Sequence, residues 1–249
     1  MNLLKDKVAL VTGGNGGIGL AIATLFASEG ARVAITGRNR EALDRAADLI
    51  GPGTLVIPGD VADPRHHEAV AKQIADRFGG LDAYVANAGV NTVRHSAEVS
   101  PAEFDMVFAV NARGTFFGVQ KIVPIMQDGG AIVLTGSLAS SRVFEGHAVY
   151  AGSKAAVAAF ARSWAIELMA RRVRVNVLSP GPTDTAIIEK MGVAPEERAE
   201  FEKRIAASIP LGRLGRPAEL AQAALFLASD QASFVTGIEL KVDGGMALL

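Results

Sequence analysis

The sequence lacks cysteine altogether, which excludes a disulfide framework and a thiolate metal site. It also lacks an excess of charge of either sign, because 25 lysines and arginines face 26 aspartates and glutamates and leave a formal net charge of -1. A chain that binds nucleic acid or an anionic membrane usually carries a basic surplus, so neither partner is expected. We predict that its partners are small molecules or further copies of itself.

Long apolar runs are missing as well. No run approaches the ~20 apolar residues that cross a bilayer. The N-terminal segment before the first predicted strand is too short and too charged for a signal peptide. Together with the missing cysteine, these features favour a cytoplasmic protein.

The motifs of several common enzyme classes are also absent. The four histidines include the adjacent pair His66 and His67 but no second pair at ligand spacing, so we predict no metal site. The stretch around Ser137 departs from the Gly-x-Ser-x-Gly elbow of serine hydrolases, and Leu20 stands where a P-loop needs lysine. Hydrolysis by an activated serine and phosphoryl transfer by a P-loop are therefore unsupported.

What the sequence does contain is an unbroken alternation of strand-like and helix-like segments. Of its 249 residues 49% are apolar, which is enough for one sizeable core. We predict an α/β fold with one domain over residues 1–249, in which a doubly wound parallel sheet of about seven strands carries helices on both faces. Strands are predicted at residues 7–11, 32–36, 54–57, 83–86, 131–135, 174–178 and 237–242, and helices at 20–26, 41–50, 64–78, 101–126, 149–171 and 217–229.

Residues 186–215 interrupt this alternation with charged, weakly periodic sequence. We interpret the segment as a mobile helical lid over a substrate pocket. The loops at residues 90–97 and 138–149 are expected to complete the pocket, and their mixture of charged, aromatic and apolar side chains leaves the substrate open. Fatty-acyl, sugar, steroid and small-ketone substrates all fit such a mixture.

Five glycines occur within seven positions directly after the first predicted strand. Gly14-x-Gly16-x-x-Gly19 has the dinucleotide-binding spacing, and Thr12-Gly13-x-x-x-Gly17-x-Gly19 has a second, related one. Between a strand and a helix, such a turn brings backbone N–H groups against a pyrophosphate. A tight turn without a ligand is the alternative. The residues expected to hold a dinucleotide here are Gly13, Asn15, Gly16, Gly17, Ile18 and Gly19.

Further candidates follow the next strands, at the edge where open α/β sheets bind their ligands. Gly37 and Arg38 stand where an NAD site usually has an acid that binds the ribose hydroxyls. The Arg38 guanidinium suits the 2'-phosphate of NADP instead, although a solvated turn arginine is an equal alternative. The adenosine half of the cofactor is expected near Asp60, Val61, Asn87, Ala88 and Gly89.

Ser137, Tyr150 and Lys154 form the candidate catalytic group. Ser137 ends a predicted strand, whereas Tyr150 and Lys154 lie four residues apart on the next helix and share a face. An ammonium beside a phenol favours the phenolate, so we expect Lys154 to lower the pKa of Tyr150 and make it a usable acid or base. Ser137 is expected to hold the same substrate oxygen.

Taken together, these residues resemble the short-chain dehydrogenase/reductase family over essentially the whole chain. The family's motifs occur in its order, namely the glycine motif, Asp60, Asn87-Ala88-Gly89, Asn111, Ser137, Tyr150-x-x-x-Lys154 and Pro180-Gly181. The resemblance implies a Rossmann fold and hydride transfer between a nicotinamide cofactor and a carbonyl or secondary alcohol.

The resemblance also implies a role for each catalytic position. Tyr150 would be the general acid/base, Ser137 would orient the substrate oxygen, and Lys154 would bind the nicotinamide ribose and lower the pKa of Tyr150. Asn111 would hold a helix kink and a water of the proton relay. The resemblance further implies that the cofactor contacts Tyr150, Lys154, Pro180, Gly181, Thr183 and Thr185.

Two positions depart from the family pattern. Gly16 replaces a basic residue that NADP-preferring members often carry, and Ala86 replaces the first asparagine of Asn-Asn-Ala-Gly. The preference for NADP(H) over NAD(H) therefore rests on Arg38. We expect a ketone reductase or alcohol dehydrogenase, with 3-oxoacyl reductase activity among the candidates. The competing hypothesis is a non-catalytic NADP-binding regulatory or scaffold protein on the same fold.

The predicted helix at residues 149–171 is apolar over too wide an arc to be covered by one sheet. Its surplus apolar surface predicts self-association, and the resemblance implies a homodimer or a homotetramer.

Overall fold

The computed structural model describes residues 2–142, 144–185 and 198–249. The strands are β1 (Val8–Thr12), β2 (Arg32–Gly37), β3 (Leu55–Pro58), β4 (Leu81–Ala86), β5 (Met126–Thr135), β6 (Arg174–Pro180) and β7 (Glu239–Val242). The helices are α1 (Gly17–Ser28), α2 (Arg40–Ile50), α3 (Pro64–Phe78), α4 (Pro101–Phe108), α5 (Gly114–Ile122), α6 (Ala148–Glu167), α7 (Arg198–Ala207) and α8 (Pro217–Ala228).

All seven strands form one parallel sheet in the order β3-β2-β1-β4-β5-β6-β7, which is the predicted doubly wound Rossmann arrangement in a single domain. The chain first moves outward from β1 to β3 and then returns to place β4 on the other side of β1. Such a reversal leaves a crevice at the carboxyl ends of the two central strands. A ligand site is expected at that crevice.

The two faces of the sheet bury separate apolar cores. Ile132 on β5 points to the face covered by α3, α5 and α6, and its neighbour Val133 points to the face covered by α1 and α8. Because successive strand residues point to opposite faces, a strand buried on both sides is a continuous apolar run. This explains why the predicted strands had no alternation of polar residues.

The segment from residue 101 to residue 135 corrects the predicted boundaries. The single helix predicted at 101–126 is instead α4, a π-helical turn at Ala109–Arg113 and α5, and it ends before Pro124, which lacks the N–H that another helical turn needs. The strand β5 therefore starts at Met126 rather than at residue 131, and its pairing with β4 shifts register between the two.

The predicted lid at residues 186–215 lies partly outside the described residues, which omit 186–197. Its described part contains α7 and ends at Gly215, which forms a short parallel bridge with Thr183 on the chain before the segment. None of the helices within the described ranges is both long and apolar enough to cross a membrane.

Candidate active site

The glycine turn between β1 and α1 is packed tightly on its inner side and is open on its outer side. Gly13 and Gly17 have φ angles of +66° and +52°, and a Cβ on Gly19 would lie 2.2 Å from the carbonyl oxygen of Gly13. A Cβ on Gly16, in contrast, would meet nothing within 4 Å. Gly16 is also the N-cap of α1, and it supplies no side chain to the first N–H groups of the helix.

Thr12 joins this turn to the loop after β4. Its Oγ1 accepts hydrogen bonds from the backbone N–H groups of Asn87 and Ala88, both at 3.0 Å. The Asn87 Nδ2 donates to the Thr12 carbonyl at 3.0 Å. The crevice between β1 and β4 is therefore cross-linked by side chains. Sequence reasoning included Thr12 in the glycine motif but did not identify it as a site residue.

The turn after β2 leaves Arg38 exposed. Arg38 makes no ion pair with any residue in the described ranges. Beside it, a Cβ on Gly37 would lie 2.7 Å from the Asn15 Oδ1, so the Asn15 side chain covers the backbone of Gly37. After β3, the Asp60 Oδ1 accepts a hydrogen bond from the backbone of Ala62 at 2.9 Å and shapes the start of the next turn.

Ser137, Tyr150 and Lys154 converge at the carboxyl end of β5, although they come from two elements. Ser137 is the N-cap of a short 3-10 turn, Leu138–Ser140, and its Oγ accepts a hydrogen bond from the backbone of Ala139 at 3.1 Å. The Ser137 side chain interacts with the Tyr150 phenol in a way that lowers the pKa of the phenol. The Lys154 Nζ lies 6.0 Å from the centre of the Tyr150 ring. The three side chains therefore form one group.

The pKa values in this group correct one expectation. Burial raises the pKa of the Tyr150 phenol, and the hydrogen bond with Ser137 offsets only part of that rise. Burial also lowers the pKa of Lys154 to about 8, and its Nζ donates to the Thr135 carbonyl at 2.7 Å. The expected net lowering of the Tyr150 pKa does not occur in the chain alone, because desolvation of the phenol dominates.

Asn111 occupies the π-helical turn and connects it to the loop after β4. Its Nδ2 donates to the Val90 carbonyl at 2.9 Å and to the Ser153 Oγ at 3.0 Å, while its Oδ1 accepts from the Val90 N–H at 2.8 Å. The Ser153 Oγ in turn donates to the Tyr150 carbonyl at 2.7 Å. Asn111 thus holds the wide turn against the first turn of α6.

Gly89 lies where these groups meet. A Cβ on Gly89 would be 3.2 Å from the Asn111 Oδ1 and 3.3 Å from the Lys154 Nζ. The loop after β4 therefore passes directly in front of two predicted catalytic side chains. Ser153, which joins Asn111 to α6, was not identified from the sequence; its position next to Lys154 was the only available signal.

The segment that follows β6 closes the other side of the crevice. The Gly181 N–H donates to the Val242 carbonyl at 3.0 Å, and the Thr183 Oγ1 donates to the Gly181 carbonyl at 2.9 Å. The methyl group of Thr185 lies 3.4 Å from the position of a Cβ on Gly17. This segment and the glycine turn therefore face each other.

The two adjacent histidines have structural partners. The Thr36 Oγ1 and the His66 Nε2 are 2.7 Å apart, and the His67 Nε2 lies 2.9 Å from the Val61 carbonyl oxygen. In the part of the chain that the structure describes, no group of three His, Asp or Glu side chains is placed to hold a metal ion.

Comparison with known proteins assigns this arrangement to a family. Residues 13–247 match the family model described as enoyl-(acyl carrier protein) reductase. The chain is 39% identical to versicolorin reductase 1 of Aspergillus parasiticus, with 97% of each chain covered. It is 36% identical to the 3-oxoacyl-[acyl-carrier-protein] reductase FabG of Thermotoga maritima, with 98% of this chain and 99% of that protein covered.

A solved structure shows the same likeness in three dimensions. A variant of a short-chain dehydrogenase/reductase from Serratia marcescens superposes with a TM-score of 0.91 at 36% identity. The match covers 98% of this chain and 99% of that one. The likeness therefore extends over the sheet, the crevice and the described part of the lid segment together.

Proposed function

Because the chain belongs to the short-chain dehydrogenase/reductase family, we propose that Tyr150 transfers the proton of its reaction while Ser137 and Lys154 hold the reacting groups in place. The protein is an NAD(P)-dependent oxidoreductase that acts on carbonyl or alcohol groups. The observation that carries the residue assignment is the convergence of the three side chains beside the crevice between β1 and β4.

In our proposal, the dinucleotide binds in the crevice between β1 and β4. The outer side of the glycine turn is open at Gly16, and the N-cap of α1 leaves its first N–H groups to an anionic partner. The residues proposed to hold the cofactor are the glycine turn at 13–19, Arg38, Asp60 with Val61, residues 87–89, Tyr150 with Lys154, and Pro180, Gly181, Thr183 and Thr185. When bound, the nicotinamide supplies or accepts the hydride.

Tyr150 is suited to give a proton to a carbonyl oxygen at neutral pH. Burial raises its pKa, so the phenol carries its proton when the substrate arrives. Lys154, with a pKa of about 8, is mostly charged at pH 7 and favours the phenolate that the transfer leaves behind. Ser137 has a hydroxyl beside the phenol and orients the substrate oxygen in our proposal.

The side chains beside Tyr150 are mostly aromatic and apolar, and the Arg142 guanidinium lies 5.4 Å from the centre of the Phe144 ring. A series of rings leads away from Tyr150, with His147 at 6.3 Å and Phe144 a further 5.7 Å away between ring centres. Leu138, Ile209 and Met246 form a small buried cluster against Phe144. We propose that the substrate is a ketone with an apolar body, such as a 3-oxoacyl group, because a polyol would leave its hydroxyls unpaired beside these side chains.

The experiment that tests the acid/base assignment replaces Tyr150 by phenylalanine. The variant keeps the ring but loses the transferable proton, so kcat should fall by about 10²- to 10⁴-fold. The affinity for NADPH, followed by fluorescence, should change little. Near-normal turnover would contradict the assignment.

The matched control is Tyr84→Phe. Tyr84 is the other of the two tyrosines in the sequence, and it is 1% exposed in the core between the sheet and α5. Removing its hydroxyl should leave kcat unchanged, since it lies outside the proposed catalytic group.

A further inference from the structure

A carboxylate on the edge strand β7 reaches the turn that carries Ser137. The Glu239 Oε1 accepts a hydrogen bond from the Ser179 Oγ at 2.6 Å and another from the Ser140 Oγ at 3.0 Å. Ser179 precedes Pro180 at the end of β6, and Ser140 is the last residue of the turn that Ser137 caps. A single carboxylate oxygen therefore joins the catalytic turn to the strand that leads into the nicotinamide-binding segment.

The packing around Ser179 is arranged for this contact. Ser179 is fully buried, and a Cβ on Gly136 would lie 2.4 Å from its Oγ. Any larger residue before Ser137 would push the hydroxyl away from Glu239. The contact between Ser179 and Glu239 thus explains why residue 136 is glycine, which the nucleotide-binding motifs do not explain.

Ser140 connects Glu239 to the backbone of Ser137. Its Oγ lies 2.7 Å from the Ser137 carbonyl oxygen as well as 3.0 Å from Glu239, and its single hydroxyl proton is shared between these acceptors. The Ser140 N–H donates to the same carbonyl at 3.0 Å. One end of the turn is therefore held by Glu239, while the Ser137 hydroxyl at the other end meets Tyr150.

Glu239 differs from an ordinary surface acid in its hydrogen-bond partners. Within the described ranges, its hydrogen-bond donors are the two serines, and no lysine, arginine or histidine forms an ion pair with it. Hydroxyl donors to a carboxylate form short, charge-assisted bonds, and the 2.6 Å contact with Ser179 falls in that class. The contacts of Glu239 are thus directed inward, toward the site.

We propose that Glu239 is a positioning residue for the reaction, which fixes the turn Ser137–Ser140 relative to β6 and thereby places the Ser137 hydroxyl beside Tyr150. This inference rests on the proposed function. Glu239 contacts neither substrate nor cofactor in this proposal; it acts through Ser140 and Ser179.

The test compares Glu239→Leu with Glu239→Gln. Leucine removes the acceptor, and a misplacement of about 1 Å at a catalytic group costs on the order of 10²-fold, so kcat should fall by roughly ten- to a hundredfold. The dissociation constant for NADPH should stay within about twofold, since no cofactor contact is lost. Glutamine keeps a carbonyl oxygen for both serines and should restore most of kcat.

Ser140→Ala provides an independent arm. The Ser140→Ala substitution should also lower kcat. The double variant Ser140→Ala/Glu239→Leu should have a kcat no lower than that of the slower single variant, because both substitutions remove the same contact. Additive losses would overturn the proposal, as would wild-type kcat in Glu239→Leu.

A control separates positioning from loss of stability. The Asp82 Oδ2 accepts a hydrogen bond from the Val8 N–H at 2.8 Å, near the amino ends of the central strands β1 and β4 and away from the crevice at their carboxyl ends. Asp82→Asn should lower Tm without lowering kcat. If Glu239→Leu and Glu239→Gln lose kcat equally, in step with a falling Tm, the role of Glu239 is only structural and the proposal is wrong.

A second readout does not depend on turnover. The hydrogen bond with Ser137 lowers the pKa of Tyr150, so displacing Ser137 should raise that pKa further. An NMR titration with 13Cζ-labelled tyrosine resolves the two tyrosines, and Tyr150→Phe assigns them. An unchanged Tyr150 titration in Glu239→Leu overturns the positioning role. A wild type that reduces no ketone with either cofactor contradicts the proposed function instead.

Discussion

Lys154 shows how burial changes the chemistry of a single residue. Its side chain is 4% exposed, and burial lowers its pKa from 10.5 to about 8. Between those values the unfolded chain binds a proton that the folded chain does not bind. The contribution of Lys154 to the free energy of unfolding should therefore increase as the pH rises from about 8 toward 10.5. The full difference corresponds to about 3 kcal/mol.

Urea unfolding of the cofactor-free wild type and of Lys154→Met, from pH 7 to pH 10, measures this effect. The free energy of unfolding of the wild type should rise relative to that of the variant over the range. The variant also loses the bond to the Thr135 carbonyl, a pH-independent cost of about 1 kcal/mol. Above pH 10 the unfolded chain loses the proton of Tyr150 while the folded chain keeps it, so the free energy of unfolding falls as the pH rises. The series therefore stops at pH 10.

Lys72→Met is the control for this series, because Lys72 is a surface residue that pairs with Asp76 on α3. The difference in free energy of unfolding between Lys72→Met and the wild type should stay constant from pH 7 to pH 10. A difference between wild type and Lys154→Met that also stays flat would show that Lys154 is not desolvated in solution.

The expected preference for NADP(H) over NAD(H) rests on Arg38. It is exposed at the turn after β2, and its guanidinium can bind a 2'-phosphate with two parallel hydrogen bonds. Hydrogen bonds to charged groups contribute about 1.5 to 3 kcal/mol, so Arg38→Leu should lower the ratio of kcat/KM for NADPH over NADH by roughly tenfold to a hundredfold. Arg40→Leu, two residues further on, should leave the ratio unchanged.

Adding Gly37→Asp to Arg38→Leu should invert the preference, because the new carboxylate repels a 2'-phosphate and accepts from the ribose hydroxyls. The Asn15 side chain must move to admit it, since its Oδ1 lies 2.7 Å from the position of the new Cβ. The Tm of the double variant checks that this movement is tolerated. If the wild type already prefers NADH, the expected preference for NADP(H) is wrong, whereas the assignment as an oxidoreductase is unaffected.

At the scale of elements, the glycine turn between β1 and α1 offers a matched pair of substitutions. Gly19→Ala places a Cβ 2.2 Å from the Gly13 carbonyl oxygen, so the turn must open. Gly16→Ala meets nothing within 4 Å, and its extended backbone, with φ of -178°, suits alanine.

We expect Gly19→Ala to lower the free energy of unfolding by about 1 to 3 kcal/mol and to weaken NADPH binding. Gly16→Ala should keep both the stability and the NADPH affinity of the wild type, because its new methyl group meets no neighbour and the family pattern allows a larger side chain there. Thermal unfolding and fluorescence titration measure the two quantities separately. Unchanged cofactor affinity in Gly19→Ala would place the pyrophosphate elsewhere.

At the scale of the whole molecule, an apolar surface remains uncovered on α5 and α6. The rings of Phe116, Phe160 and Trp164 form a cluster with centres 5.3 to 5.6 Å apart. Phe116 is 37% exposed and Ile166 is 68% exposed. Exposed apolar clusters of this kind usually mark interfaces between subunits.

We therefore expect light scattering at micromolar concentration to give a mass of two or four times 25.9 kDa. Replacing Ile166 by glutamate should shift the protein toward the monomer, because a charge would be buried at the interface. Leu49→Glu is the control, since Leu49 is equally exposed, at 67%, on α2. A wild type of 25.9 kDa would contradict the interface.

The sequence by itself determined the architecture and predicted which residues make up the candidate site. The alternation of apolar runs with helical periodicity predicted all seven strands, and α3 begins and ends where it was predicted. The glycine turn and the Tyr-x-x-x-Lys spacing are equally local. Such features are encoded within a few residues of one another, so they can be identified without knowing how the chain folds.

Only the tertiary structure decided how the site residues are held and charged. Asn111 and Ser153 are 42 residues apart in the chain, and Ser140 and Glu239 are 99 apart, so no local pattern indicates that they are bonded. The raised pKa of Tyr150 likewise follows from burial among several elements. Hydrogen-bond partners and desolvation depend on which distant segments pack together, and packing is a property of the whole fold.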